Sequence, residues 1–282
     1  MYILGHRGLE PSKKKFFKES TFEAFRNQLQ RGFGIEFDLN FTKDKKIVIF
    51  HDPNLERISQ GKDKRIFSEM SLREIKNIKL DGEKICSFNE LFDLIINNKS
   101  NFNALHLKGE FQETKYIDIL VTYLEDYRKF LSKLLIFDIK IETAKRLKKI
   151  FPEILLAPSV AHEYDIERYG KFVNDTLISI SEAIKSKILF DWVWLDEWDC
   201  KDRDKKKKIL YTKENFGILK EIGFKISLIT PELHRTSPGL LGGESHEDSI
   251  KYSFLKRRIK EIVSLKPDAI CTDYPDLVRL MI

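Results

Sequence analysis

Short apolar segments alternate with amphipathic segments along almost the whole chain. Several of the apolar segments are nearly continuous hydrophobic runs, which is typical of strands that are covered on both faces. Between them, apolar residues recur with a period near 3.6, which predicts helices. Repeated strand–helix units indicate a parallel sheet.

Nine segments are predicted as strands: Tyr2–His6, Gly34–Asn40, Lys46–His51, Asn103–Lys108, Leu134–Ile139, Glu153–Ser159, Trp192–Trp198, Lys225–Thr230 and Ala269–Asp273. The predicted helices are Thr21–Arg31, Leu72–Ile78, Phe88–Ile96, Lys115–Tyr127, Ile141–Phe151, Asn215–Ile222 and Ile250–Ser264. With 282 residues, the chain suits an eight-stranded α/β barrel of about 250 residues. One strand is then extra, and we expect it to be Trp192–Trp198. No shift in composition marks a boundary, so we expect residues 1–282 to form one (β/α)8 TIM-barrel domain.

The charge balance is weakly basic. There are 50 Lys+Arg and 44 Asp+Glu, so the net charge is 50 − 44 = +6. This surplus is spread over many charged residues rather than gathered in a basic stripe, so we expect no nucleic-acid partner. We predict that the lysine-rich stretch Lys201–Lys208 is solvated and that Arg235–Ser249, rich in Ser and Gly, is an exposed loop. The 21 Phe among many apolar residues exclude a disordered chain.

The cysteines and the first residues bear on the compartment. Cys86, Cys200 and Cys271 are too few and too scattered for a disulfide framework. The chain begins without a basic, then apolar, leader pattern. No run approaches the roughly 18 apolar residues of a membrane span. We therefore expect a cytoplasmic protein without an integral membrane segment.

Polar residues occur where four of the predicted strands end. The first strand ends in His6-Arg7-Gly8, and the second contains Glu36 and Asp38, which are two apart and so share a face. The others end in His51-Asp52 and in His106-Leu107-Lys108. In a barrel, catalytic groups lie at the C-terminal ends of the strands, so we expect these side chains to meet.

Such a set suits phosphodiester cleavage. The anionic diester requires positive charge, which Arg7, Lys108 and a cation can supply. Glu36 and Asp38 offer the oxygen ligands that Mg²⁺ and Ca²⁺ prefer. A pair of histidines titrating near neutrality can move the protons at the attacking and leaving oxygens.

These residues also belong to a series of short motifs along the chain: His6-Arg7-Gly8, Glu19-Ser20-Thr21, Gly34-Ile35-Glu36-Phe37-Asp38, Thr42-Lys43-Asp44, Val48-Ile49-Phe50-His51-Asp52, Leu55-Glu56-Arg57 and Thr272-Asp273-Tyr274-Pro275-Asp276. In them the chain resembles the glycerophosphodiester phosphodiesterase family, most densely over the first 57 residues. The resemblance implies a TIM barrel that hydrolyses a small anionic phosphodiester.

The resemblance also implies a role for each residue. His6 and His51 would be the acid–base pair, and Arg7 and Lys108 would hold the phosphate. Glu36 and Asp38 would bind one divalent metal ion, Mg²⁺ or Ca²⁺. A hydroxyl of the substrate's glycerol would attack phosphorus to give a cyclic intermediate that water opens.

His106 departs from the family pattern, which has a glutamate there as the third metal ligand. An imidazole suits Mn²⁺ or Zn²⁺ better than Ca²⁺, so we predict a metal site of Glu36, Asp38 and His106 with weaker binding of Mg²⁺ or Ca²⁺. Glu232 lies near a strand end and could extend the site.

Two other functions fit the same residues. One is a lyase that resembles the spider-venom sphingomyelinases D and forms a cyclic phosphate without hydrolysis. The other is a catalytically degenerate barrel that binds an anionic head group, which the exchange at His106 favours. The sequence does not specify the substrate alcohol or the oligomeric state.

Overall fold

A computed structural model describes residues 1–98, 100–201, 204–233 and 246–282. Its strands are β1 (Tyr2–His6), β2 (Gly34–Phe41), β3 (Ile47–Ile49), β4 (Lys79–Leu80), β5 (Glu83–Lys84), β6 (Cys86–Ser87), β7 (Asn103–His106), β8 (Leu134–Phe137), β9 (Leu155–Ala157), β10 (Ser159–Val160), β11 (Leu177–Ile178), β12 (Trp192–Leu195), β13 (Lys225–Ile229) and β14 (Ala269–Thr272). The helices are α1 (Phe22–Gln30), α2 (Leu72–Lys76), α3 (Phe88–Ile96), α4 (Thr114–Asp126), α5 (Ile141–Ile150), α6 (Glu163–Tyr169), α7 (Ile180–Lys185), α8 (Lys213–Glu221), α9 (Tyr252–Ser264) and α10 (Pro275–Arg279).

The main sheet is parallel and curls round on itself. Its hydrogen-bonded order runs β12-β13-β14-β1-β2-β7-β8-β9. After β9 the chain passes Pro158 into β10, which pairs in parallel with β12. The backbone N–H of Trp194 donates to the carbonyl of Pro158 at 3.0 Å. The predicted α/β barrel architecture is therefore confirmed.

The prediction of the extra strand was wrong. Trp192–Leu195, as β12, lies inside the ring between β10 and β13. Of the nine predicted strands, the one outside the ring is β3, which pairs antiparallel with β2 and also with β6. The chain doubles back after Phe41 through a turn in which Lys45 has a φ of +56°. A short apolar run carries no information about the direction in which it pairs, and this explains the error.

All seven predicted helices are present, within a few residues at each end. Helices α6, α7 and α10 were not predicted, and they have only five to seven residues each. Such short helices show too few turns for a period of 3.6 to be recognised. None of the described helices is long and apolar enough to span a lipid bilayer.

The interior of the ring changes from apolar to polar along the strands. Leu4, Ala104 and Trp192 belong to a cluster of buried residues inside the ring. Side chains two residues apart in a strand point to the same face. His6 follows Leu4 by two residues, and His106 follows Ala104 by two, so the strands carry both histidines to the C-terminal end of the same interior.

The lysine-rich stretch is only partly solvated, contrary to the prediction. Lys208 is 3% exposed and forms ion pairs with Asp165 and Asp199, both at 2.5 Å. Two carboxylates can compensate the desolvation of one buried ammonium group. Nothing in the sequence marked Asp165 and Asp199 as partners of Lys208. Residues 202–203, His234 and most of the predicted loop Arg235–Ser249 lie outside the described residues.

Candidate active site

A cavity of about 580 Å³ lies at the C-terminal end of the ring. Six of the seven predicted site residues line it: His6, Arg7, Glu36, His51, His106 and Lys108. The seventh, Asp38, is 1% exposed and contacts His106 behind the cavity wall. The structure therefore brings together all the residues that the strand ends indicated.

His6 is oriented by a carboxylate from the last strand of the ring. Its Nδ1 lies 2.7 Å from Oδ1 of Asp273, which follows β14. Its Nε2 lies 4.0 Å from Oε2 of Glu36. With the Nδ1 proton held by Asp273, Nε2 is the ring atom that faces Glu36.

Glu232 holds the segment that carries Asp273. Its Oε1 accepts hydrogen bonds from the hydroxyls of Thr230 and Thr272, both at 2.6 Å, and from the backbone N–H of Asp273 at 3.0 Å. Burial and the neighbouring Asp273 carboxylate raise the pKa of Glu232 to about 7. The expectation that Glu232 extends the site is thus met only indirectly, because Glu232 acts on the position of Asp273.

A tight turn follows β1. Arg7 and Gly8 have φ values of +50° and +77°. A Cβ atom on Gly8 would lie 2.8 Å from Cβ of Ala24 in α1, so only glycine fits there. The turn leaves Arg7 4% exposed, with Nη1 3.3 Å from Oε1 of Glu19 and Nε 3.5 Å from Oδ2 of Asp38.

His51 reaches the cavity from β3, outside the ring. The backbone N–H of Phe50 donates to the carbonyl of Asp38 at 3.1 Å, which extends the pairing of β3 with β2. The side-chain amide of Asn40 donates to the carbonyls of Phe50 and Asp52 at 2.7 and 3.0 Å. Two backbone positions that flank His51 are therefore tied to β2.

The surroundings of His51 favour the neutral ring. Its Nδ1 lies 2.6 Å from Oδ1 of Asp52. Burial and the positive charges of Arg7 and Lys108 lower the pKa of His51 to about 3, against the opposing influence of Asp52. A neutral imidazole that donates through Nδ1 keeps a lone pair on Nε2, which is what a general base requires.

Asp52 belongs to a chain of charged groups. Nε of Arg57 donates to Oδ2 of Asp52 at 2.6 Å, and Nη2 of Arg57 donates to Glu19. Glu19 in turn accepts from Arg7. Arg57 thus connects the support of His51 with that of Arg7.

Glu36 and Asp38 form a buried carboxylate pair. Burial and the nearby Asp38 carboxylate raise the pKa of Glu36. Burial also acts to raise the pKa of Asp38, but the basic groups around it outweigh this and hold it well below its usual range: His51, Lys108, His106 and Arg7. Two carboxylates at one place favour a bound cation.

The donor atoms suit a divalent metal ion. One ligand atom each of Glu36, Asp38 and His106 lie within 4.8 Å of one another. Oδ2 of Asp38 is buried and accepts no hydrogen bond from the described part of the chain. Two carboxylates with an imidazole form a mixed oxygen and nitrogen set, which Mn²⁺ and Zn²⁺ accept more readily than Ca²⁺.

His106 lies between two carboxylates. Its Nδ1 is 2.9 Å from Oδ1 of Asp38, and its Nε2 is 3.2 Å from Oδ2 of Asp138. Burial opposes a charge on the ring, but the hydrogen bonds with Asp138 and Asp38 prevail and raise the pKa of His106 to about 10. The ring also stacks on Phe137, with centroids 4.8 Å apart.

Lys108 lines the cavity two residues beyond His106, as the strand period predicts. Its ammonium group donates to the carbonyl of His51 and lies 3.7 Å from Oδ1 of Asp38. It is 9% exposed. A cation in this position faces the same space as His51.

Four residues with a direct part in this arrangement were not predicted as site residues. Asp52 and Asp273 stood at the ends of predicted strands and, like Arg57, belonged to the family-like motifs. Asp138 lay near the end of the predicted strand Leu134–Ile139, outside any motif. The signal that could have found the three aspartates is an acidic residue at the C-terminal end of a strand.

Part of the cavity wall is apolar and aromatic. It is formed by Phe137, Phe172, Leu177, Trp194, Trp198, Ile229 and Leu233. The rings of Phe137 and Trp194 are stacked with centroids 3.7 Å apart. Phe172 is 68% exposed at this wall.

A second group of potential ligands lies away from the cavity. It contains Glu197, Cys200 and His246. Arg258 donates to Glu197, and the backbone N–H of Asp248 donates to Nδ1 of His246 at 3.1 Å. These bonds engage Glu197 and one ring nitrogen of His246 within the protein.

The chain is similar to known proteins in sequence and in fold. The sequence model of the glycerophosphoryl diester phosphodiesterase family matches residues 6–181, more than half of the chain. A glycerophosphodiester phosphodiesterase of Caldanaerobacter subterraneus subsp. tengcongensis is 32% identical over 102 residues. The matched region covers 33% of this chain and 40% of that protein.

Solved structures share the fold over almost the whole chain. A glycerophosphoryl diester phosphodiesterase of Parabacteroides distasonis has a TM-score of 0.66 at 17% identity and covers 99% of this chain and 85% of its own. A Thermotoga maritima glycerophosphodiester phosphodiesterase gives 0.60 at 20%, covering 99% and 97%. An Oleispira antarctica phosphodiesterase, solved with the product sn-glycerol-3-phosphate, gives 0.65 at 16%, covering 100% and 96%.

Proposed function

Since the chain belongs to the glycerophosphoryl diester phosphodiesterase family, we propose that it is a metal-dependent phosphoric diester hydrolase. Its substrate is a glycerophosphodiester or a similar small phosphodiester, which it cleaves to a phosphomonoester and an alcohol. The product in the Oleispira antarctica structure, sn-glycerol-3-phosphate, is a phosphomonoester of this class. We also propose that residues 1–282 act as one domain.

One observation carries this proposal: two histidines, each held through Nδ1 by an aspartate, line the same cavity as a cation-binding carboxylate pair. The two supports are Asp273 for His6 and Asp52 for His51, at 2.7 and 2.6 Å. An aspartate in this position fixes the tautomer and the orientation of the ring. Both histidines therefore present Nε2 for proton transfer.

The surroundings of His51 assign the two roles. The low pKa of His51 keeps it neutral near pH 7, so His51 takes the proton from the attacking hydroxyl. His6 is held through Nδ1 by Asp273 at 2.7 Å and lines the same cavity. The remaining role, donation of a proton to the leaving alcohol, therefore falls to Nε2 of His6.

The remaining residues bind and neutralise the diester. Lys108 faces the space beside His51 and pairs with one phosphate oxygen, while Arg7 adds positive charge at the same end of the cavity. Glu36, Asp38 and His106 would hold one divalent cation. When bound, the cation polarises the phosphate and neutralises its charge.

The test is product analysis by phosphorus NMR. Purified protein is incubated with glycerophosphocholine and Mn²⁺ or Mg²⁺, and we expect glycerol phosphate, with turnover abolished by EDTA. His6→Gln and His51→Gln each abolish most turnover, whereas His162→Gln, at a helix start outside the cavity, leaves it unchanged.

Three results contradict the proposal. A cyclic phosphate as the final product indicates the lyase reaction. Tight binding of the diester without turnover under every divalent metal indicates a degenerate binding protein. Full activity of both His6→Gln and His51→Gln excludes the proposed acid–base pair.

A further inference from the structure

We propose that Asp138 is the positioning residue of a carboxylate–histidine–metal relay, in which His106 binds the divalent cation through Nδ1. The relay favours divalent cations that accept a nitrogen ligand, such as Mn²⁺ and Zn²⁺. The inference rests on the proposed metal site and adds to it the residue Asp138 and the ring nitrogen, Nδ1, through which His106 binds.

The two ring nitrogens of His106 have distinct neighbours. Nδ1 lies on the side of the carboxylate pair, 2.9 Å from Oδ1 of Asp38. Without a cation this contact is a hydrogen bond, and a bound cation takes the place of the Nδ1 proton. Two donors about 2.1 Å from one cation and at right angles to each other lie about 3 Å apart. The separation of Nδ1 from Asp38 also fits two ligands of one ion.

Nε2 is engaged on the far side of the ring. It lies 3.2 Å from Oδ2 of Asp138. A histidine that ligates a metal commonly donates its other N–H to a carboxylate, which fixes the tautomer and makes the ligating nitrogen more basic. Asp138 supplies this acceptor, and it leaves Nδ1 to face Glu36 and Asp38.

The backbone at Asp138 is built to hold this side chain. Asp138 has a φ of +64°, in the left-handed region that aspartate adopts more readily than most residues. The side-chain amide of Gln112 donates to the carbonyl of Asp138 at 2.7 Å and to that of Leu107 at 2.8 Å. These bonds fix the backbone from which the Asp138 side chain reaches His106.

Aromatic packing fixes the plane of the His106 ring. The ring of Phe137 stacks on the His106 ring with an interplanar angle of 10°. The ring of Trp194 stacks on Phe137 in turn, with an interplanar angle of 11°. A ring held in one plane, with one nitrogen bound to Asp138, can direct Nδ1 only toward the carboxylate pair.

The experiment is pulsed EPR of the full chain with bound Mn²⁺, without substrate. We expect ¹⁴N modulation from one coordinated imidazole. It disappears in His106→Glu and persists in His51→Gln. Because no turnover is needed, a failed phosphodiesterase assay leaves this result intact.

Titration calorimetry with Mn²⁺ and Ca²⁺ tests the role of Asp138. We expect Asp138→Ala to weaken Mn²⁺ binding by roughly 10–100-fold, with Asp138→Asn intermediate because its amide oxygen still accepts from Nε2. Asp196→Asn, which changes another carboxylate lining the cavity, leaves binding unchanged. His106→Glu shifts the preference toward Ca²⁺.

The inference is overturned by any of three results. One is that wild type does not bind Mn²⁺. Another is that Mn²⁺ binds without ¹⁴N modulation, so that His106 is only an internal cation between two carboxylates. The last is that Asp138→Ala, shown by its thermal unfolding to be folded, binds Mn²⁺ as tightly as wild type.

Discussion

His51 and His106 line the same cavity, but their surroundings carry opposite charge. His51 lies among the cationic groups Arg7 and Lys108, and its pKa is lowered to about 3. His106 lies between Asp38 and Asp138, and its pKa is raised to about 10. Burial together with neighbouring positive charge lowers the pKa of one histidine, whereas neighbouring carboxylates outweigh burial and raise the pKa of the other.

The difference follows from where each histidine enters the site. His106 is part of the ring, and the carboxylates beside it come from the adjacent strand β2 and from the end of β8. His51 enters from outside the ring and meets Arg7 and Lys108, which line the cavity. The side of the cavity nearer His51 is therefore suited to proton transfer, and the side nearer His106 to holding a cation.

The largest expected loss of activity comes from substitution of His51, and its response to added Mn²⁺ should differ from that of a His106 variant. His51→Gln lowers kcat by ~10²–10⁴-fold, because no other group takes up the proton. His106→Gln acts through the metal and weakens Mn²⁺ binding by roughly 10–100-fold. Steady-state kinetics over a range of Mn²⁺ concentrations should therefore restore much of the activity of His106→Gln and none of that of His51→Gln. Equal rescue of both variants would remove the distinction.

Lys108→Met should have the next largest effect. Loss of a charged contact worth about 1.5–3 kcal/mol lowers kcat/KM by roughly 10–100-fold. Since Lys108 is one of the two cations that lower the pKa of His51, its removal raises that pKa. The acid limb of the pH profile of kcat/KM then moves to higher pH. Lys108→Arg, which keeps the charge, should leave the limb in place.

The free energy of unfolding at acid pH reports the lowered pKa of His51 without the need for substrate. The folded protein disfavours the protonated ring, so its contribution to stability is present above the unfolded pKa of about 6.5 and is lost as the pH falls below it. Urea unfolding at pH 7 and pH 5 should show a loss of about 1–2 kcal/mol that is absent from His51→Gln. An identical loss in both proteins would mean that the ring is charged in the fold.

The smallest effect is expected at Arg57, whose side chain is 35% exposed. It orients Asp52 and hence His51, so Arg57→Gln should lower kcat by less than about tenfold, as expected for a partly solvated ion pair of up to ~1 kcal/mol. Arg65→Gln, which breaks an exposed pair with Asp63, is the matched control and should have no effect. A large loss in both variants would point to folding rather than to His51.

The sequence predicted the half of the site that lies on the ring. His6, Glu36, Asp38 and His106 follow from strand ends and from the period of two, both of which are local properties. The path of His51 could not be predicted, since an apolar run does not reveal antiparallel pairing. His51 was nevertheless predicted as a site residue, because its motif is short and continuous, and it lines the cavity.

The parts that escaped prediction depend on partners far apart in the chain. Asp138 meets His106 only because β7 and β8 are neighbours and because its backbone takes a left-handed conformation. Glu232 meets Asp273 because β13 and β14 are neighbours. Lys208 is buried in ion pairs with Asp165 and Asp199, although in the sequence it belongs to a run of lysines that predicts exposure.

The position of His51 outside the ring also bears on how the molecule opens. The excursion that carries it, residues 47–87 between β2 and α3, has a hydrophobic cluster of its own. This cluster includes Val48, Phe50, Phe67 and Ile75 and is separate from the clusters of the ring. Segments with separate cores can unfold locally while the rest stays native. We expect amide hydrogens in the excursion to exchange with solvent sooner than those of the ring. Mild denaturant should then silence the enzyme while the barrel is still folded.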